Sequence, residues 1–244
     1  MTTLVADAFK PYTFVDAFRF IADHPGLLLS KTEKHLEISG VAMAIALLLA
    51  LPLGVWLGHL HRGSVIAINV SNVGRALPSL AVISIGLGFF GLGFRNVVFA
   101  LVVLAWPPML TNAYVAVDGV DPDVIEAARG MGMREREILV RIELPLALPL
   151  IFAGIRTAAV YVVSTATLAA FVGGGGLGDI IVNQASYFLA GVIAASILVS
   201  VLAFAADVAL GGVQRLVTPR GLRGEISVLE PDVSTPALAE AGAA

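Results

Sequence analysis

Residues 126–145 read EAARGMGMREREILVRIELP. Glu126, Ala127 and Ala128 are followed after three residues by Gly132, then after nine more by Ile142, and after one more by Leu144 and Pro145. The chemistry on offer is recognition rather than bond-making. A carboxylate on a short helix can be held by a partner's Arg or Lys, and two adjacent alanines let a foreign surface approach closely. Asp121 is a good N-cap, and Pro122 suits the first helical position, where its missing N–H has no partner to lose. Asp123 and Glu126 complement the positive end of the helix dipole, and Arg129 falls towards the negative end. Val124, Ala128 and Met131 line one face at i, i+4 and i+7. Gly130 and Gly132 end or bend this helix, residues 134–141 suit a second polar one, and Pro145 opens the next apolar segment. On pattern alone, a docking loop and a solvated helix between two spans remain equally open.

Two more groups could act. Arg156 would cost about 2.5–3.5 kcal/mol at the centre of a membrane helix. Counting about 20 residues back from Val172 puts one boundary near Ala153, so Arg156 can snorkel to the headgroups. The same count from Phe188 puts Asp207 at the inner end of the last span, where an ion pair with Arg156 is expected. Pro78, Ser79, Ser164, Thr165 and Thr167 are candidates for a gate or a translocation path, with packing through cross-helix hydrogen bonds as the competing role, shared by Thr157. Pro78 and the run Trp106-Pro107-Pro108 mark helices that bend.

Other patterns carry no chemistry. The GxGxxG matches at Gly86/Gly88/Gly91 and Gly173/Gly175/Gly178 fall at span ends, outside the strand–turn–helix unit that a dinucleotide site needs. No GxxxxGK[ST] phosphate loop exists in the chain. Gly54 and Gly58 form a GxxxG that can mark a packing face. His24, His35, His59 and His61 lie at span edges and read as interfacial anchors; His59 and His61 face different sides of a helix, which argues against a metal site. With no cysteine, thiolate metal sites and disulfides are excluded. A net charge of −3 without basic blocks excludes nucleic acid as a partner.

The elements that position these residues are membrane helices. The 244 residues are 58% hydrophobic and 14% charged, with a mean hydropathy of +0.91, against about 25% charged in soluble domains. Five apolar segments suit a bilayer core: 38–58, 76–93, 96–117, 146–172 and 188–206. The second is short, and residues 65–74 can extend it. If the loop between spans three and four is cytoplasmic, that side holds nine Lys or Arg against five outside. The N-terminus is then outside and the C-terminus inside. No signal-peptide pattern is visible, so insertion is expected to rely on the first true span. Phe14, Phe18 and Ile21 predict a short amphipathic helix stopped by Pro25-Gly26, lying at the outer interface or packed on the bundle's flank. The expected organisation is an outer segment over 1–34, a transmembrane domain over 35–213 containing a loop at 118–145, and a cytoplasmic, largely disordered tail over 214–244.

The loop matches, at all seven positions, the EAA loop of bacterial ABC-importer permeases. The resemblance extends over about residues 35–221. Residues 72–81 (NVGRALPSLA) resemble the QTIPSLA region of permeases for glycine betaine, carnitine, choline and related osmoprotectants, with Arg75 where those relatives often carry Gln. Gly154-Ile155-Arg156, residues 173–178 and Thr218-Pro219-Arg220-Gly221 are similar to further family landmarks. The resemblance implies an all-α membrane protein with a methionine-importer-like type I ABC permease core of about five transmembrane helices, and a coupling loop carried by Glu126, Ala127, Ala128, Gly132, Ile142, Leu144 and Pro145. It implies a second permease, identical or not, two ATPase subunits and an external solute-binding protein, in a bacterial cytoplasmic membrane. The chain would bind no cofactor and catalyse nothing itself; ATP and magnesium would be used by the partner ATPase. A methionine or other amino-acid permease is the alternative within the class. A motor-independent secondary transporter would carry deep ionisable residues or repeats, and a structural assembly subunit would not need the loop's spacing.

Overall fold

Proline placement and small-residue spacing shape this all-helical chain. The computed structural model describes residues 11–62, 65, 69, 72, 74 and 76–219; Arg75, Arg220, Gly221 and the expected tail beyond lie outside them. Helix α1 (Pro11–Asp23) is amphipathic as its pattern predicts. It packs on the bundle's flank, with Thr13 and Ala17 buried and Phe14, Val15 and Phe18 exposed.

Pro25 has two roles. It does end α1, but it also occupies the first turn of α2 (Pro25–His59), which runs unbroken through residues 34 and 35. Its missing N–H breaks the ladder at one residue, His24, and costs nothing at a new helix start. At 1.5 Å per residue, 35 residues make roughly 52 Å, well beyond a hydrocarbon core of roughly 30 Å. The surplus is the stretch bearing Lys31, Glu33, Lys34 and Glu37. Lys34 pairs with Glu37 at 2.9 Å, and Lys31 reaches Asp179 at 2.6 Å.

Four helical stretches among the described residues are long and apolar enough to cross a membrane. They are α2, α4 (Phe94–Asp118), the run Glu135–Val172 and α9 (Gln184–Val217). The expected second span is instead the 12-residue helix α3 (Ser79–Phe90). Ahead of it, Leu77 and Pro78 are non-helical, and Ala76 and Gly74 are helical again. The run Glu135–Val172 comprises α6 (Glu135–Ile138), a π-helical turn Leu139–Glu143, α7 (Leu144–Thr165) and a 3₁₀ stretch Ala166–Val172. Gly173 at φ +69° ends it in the left-handed region that suits glycine. A short α8 (Gly178–Val182) leads into α9. That helix is kinked at Phe188 (φ 54°) and continues past the expected boundary at 213.

Helix α4 is the centre, packed against α2, α3 and α7. The α2 seam is a stripe of Ile38, Ala42, Ala46, Ala50, Gly54 and Gly58, all buried at intervals of four. A Cβ added at Gly54 would lie 2.7 Å from Leu110 O and 2.8 Å from Ala113 Cβ. One added at Gly58 would lie 2.8 Å from both Tyr114 O and Val117 Cβ. The partners advance together, so the helices run parallel with backbones in contact, as small residues in membrane helices permit. Helix α7 then packs on α9, which carries α1 and α8.

Candidate functional site

The 118–145 loop folds on itself. Asp121 accepts a hydrogen bond from the Asp123 N–H at 2.9 Å, capping helix α5 (Pro122–Gly130). Gly132 adopts φ +84°, the left-handed turn that reverses the chain into α6. Arg129 Nε and Nη2 donate to the two carboxylate oxygens of Glu135 at 2.8 and 3.0 Å, tying α5 to α6 in a fork. That hydrogen-bonded carboxylate, and then its charge, raise the Arg129 pKa further above its ordinary value, so the guanidinium is a permanent cation.

The packed face of α5 differs from the sequence reading. Ile125 and Ala128 are buried with Val120 and Ile138, flanked by Met133 and Ile142. Val124 and Met131 are exposed. The loop's own second helix supplies the cover, and a pattern read on α5 alone cannot include it. Ala128 is thereby a core residue of the loop, and the surface left open carries Glu126, Ala127, Val124 and Met131. The open surface is thus an apolar patch with one carboxylate on a self-supported helix.

Both ends of the loop are pinned to the end of α2 by residues that sequence reasoning treated only as anchors. His59 Nδ1 lies 2.7 Å from Glu143 Oε2, and His61 Nδ1 lies 2.9 Å from Asp118 Oδ1. Glu143 is 1% exposed and ends the π-helical turn between Ile142 and Leu144. An acid between Ile and Leu-Pro at the mouth of an apolar span needs a partner. That was the available signal, but His59 lies 84 residues away and the sequence does not connect them.

The other candidates separate. Arg156 and Asp207 are brought together: Nε and Nη2 donate to both carboxylate oxygens at 2.8 and 2.7 Å. Gln214 accepts from Arg156 Nη1 at 3.3 Å and donates to Pro149 O at 3.1 Å, extending the bridge between α7 and α9. Ser164 lines a cleft of about 720 Å³ between α4 and α7, together with Thr157, Tyr161, Thr111 and Asn112. Pro78, Ser79, Thr165 and Thr167 do not line it, and Thr167 donates back to Ser164 O at 2.8 Å. Pro107 and Pro108, which do line it, lack the N–H groups that would pair with the carbonyls of Val103 and Leu104. Among the described residues that line it, the cleft offers hydroxyls, an amide and a phenol ring, with no ionisable carboxylate or amine. Its volume suits a small solute.

Known proteins share this architecture. Residues 50–220 match the family described as "Binding-protein-dependent transport system inner membrane component". The glycine betaine/carnitine/choline transport system permease protein OpuCB of Bacillus subtilis (strain 168) is 38% identical over 210 residues, covering 84% of this chain and 95% of the relative. The choline transport system permease protein OpuBB of the same organism is 37% identical with the same coverage. Among solved structures, an inward-facing MetNI methionine ABC transporter superposes with a TM-score of 0.67 at 22% identity, over 80% of this chain and 99% of that one. That likeness carries the fold alone.

Proposed function

This chain belongs to the family of binding-protein-dependent transport system inner membrane components, and on that premise we propose that it moves a quaternary-ammonium osmoprotectant such as glycine betaine, carnitine or choline as the permease subunit of an ATP-driven importer. The observation that carries the solute class is identity of 37–38% across 84% of the chain to permeases named for those solutes. The cleft chemistry agrees. A quaternary ammonium has no N–H to donate, so it needs a ring face and oxygens rather than a hydrogen-bonding carboxylate, and the Tyr161 ring with the hydroxyls of Thr111, Thr157 and Ser164 supplies both. A fixed carboxylate would hold the cation too long for passage.

In this reading the 118–145 loop faces the cytoplasm, the N-terminus lies outside and the C-terminus inside. A second permease, identical or related, closes the open side of the cleft. Two ATPase subunits dock on α5 around Glu126, using ATP and magnesium that this chain does not bind. An external solute-binding protein delivers the solute. ATP-driven closure of the motors moves the docked loops, and the spans pass from inward- to outward-facing.

Co-purification in mild detergent, followed by uptake of radiolabelled glycine betaine, choline and methionine into cells lacking other importers for them, tests the assignment. An associated ATPase with glycine betaine or choline uptake is the expected result. Uptake of methionine alone, or a complex without an ATPase, would overturn it.

A further inference from the structure

The end of the first span holds an arrangement that the import mechanism above does not use. Glu143 is fully buried at the close of a five-residue π-helical turn, Leu139–Glu143, joining the loop to α7. A π-turn has wider, weaker backbone bonding than the α-helix on either side, and such turns recur at functional sites. Left alone, it is the compliant point where displacement of the docking helix would be absorbed before reaching the spans. His59, on the last turn of α2, reaches across this joint to Glu143 at 2.7 Å. Two residues on, His61 ties the same helix end to Asp118, where the loop leaves α4. Helix α2 is itself set against α4 with backbones touching at Gly54 and Gly58. Glu135 is held in a fork by Arg129 of the docking helix.

We propose that His59 is a positioning residue for energy coupling: by bolting Glu143 across the π-helical joint, it makes the paired first and third spans move with the docking loop. The inference rests on the permease reading above. Without the bolt, the loop and its ATPase can cycle while α2 and α4 lag behind, and nucleotide is spent without import.

The test uses the complete complex in proteoliposomes, with radiolabelled glycine betaine and MgATP, scoring solute imported per ATP hydrolysed. His59→Leu removes the bolt but leaves Glu143 buried without its partner, which threatens folding. The double variant His59→Leu/Glu143→Leu leaves no unpaired charge there and carries the test if the single variant does not assemble. The expected result in either is retained hydrolysis with the import ratio lowered on the order of tenfold, the scale of a coupling free energy between linked sites. Glu143→Gln keeps an acceptor for the His59 N–H and should hold the ratio near wild type. A pair with a merely structural role would be replaced by two leucines without loss of the ratio, and that result overturns the inference. A wild-type complex with no associated ATPase would instead refute the parent reading, and the link with it.

Discussion

Gly54→Ala tests the seam on which the bundle rests. The added Cβ would lie 2.7 Å from Leu110 O, 2.8 Å from Ala113 Cβ and 3.3 Å from Tyr114 N. None of these is the tip of a flexible side chain. Ordinary contact begins near 3.4 Å, so α2 and α4 must part by the difference, 0.6–0.7 Å. A gap of that size forfeits about a quarter to a half of each atom pair's dispersion energy, and it runs along Ala46, Ala50 and Gly58 on the same stripe. Overpacking of this kind costs about 1–3 kcal/mol, offset by about 1 kcal/mol from replacing glycine in a helix. Gly40→Ala, on the same helix with nothing within 4 Å of its added Cβ, keeps only the gain. The two variants should therefore differ by about 1–3 kcal/mol, with Gly54→Ala the less stable. Unfolding by SDS titration in mixed micelles, followed by fluorescence of Trp56 on α2 and Trp106 on α4, measures the difference. Equal midpoints for the two variants would refute the close-contact argument.

Two further outcomes are expected. Glu126→Lys alters the docking face and Gly132→Asp places a side chain at φ +84°, where an L-residue costs roughly 1–2 kcal/mol. Each should leave membrane insertion intact while separating ATPase activity from uptake; uptake at the wild-type rate in both would count against the coupling role. Arg156→Asp and Asp207→Arg should each impair assembly or transport, and the combined swap should recover part of the loss. No recovery in the swap would show that the α7–α9 bridge depends on more than its two charges, Gln214 being the next contact.

Hydropathy made α4, α7 and the last span legible, because a long apolar run has few alternatives in lipid. Arg156 and Asp207 were legible for a related reason: desolvation cost fixed the depth of each, and equal depth suggested a pair. Pro25 was read only as a stop, whereas proline ends one helix and begins another with the same missing N–H. The second span was read as short and bent at Pro78, and the break at Leu77 and Pro78 leaves 12 residues of helix beyond it. Val124, Ala128 and Met131 were read as one face of α5 and Ala127 with Ala128 as open to a partner, whereas Ala128 is buried with Ile125 under Ile138. Periodicity finds a face, but only the neighbour decides which one is covered. The need of Glu143 for a partner was legible, but His59 looks ordinary alone, and only the fold brings the two together.

The clasp of α1 on α9 bears on the order of events during synthesis. Phe20 stacks edge-on against Tyr187 at 6.5 Å and lies beneath Gly191, and α1 rests on that last helix. From residue 20 to residue 187 is a wait of 167 positions, on the order of 10 s at a ribosomal rate of roughly 5–20 residues per second. Through that interval Phe20 has only His24 and Leu28 of its final neighbours on the early chain, and lipid must shelter the rest of its face. The contact that fastens α1 is thus completed only with α9, so a ribosome that stalls before residue 187 leaves α1 without its seat.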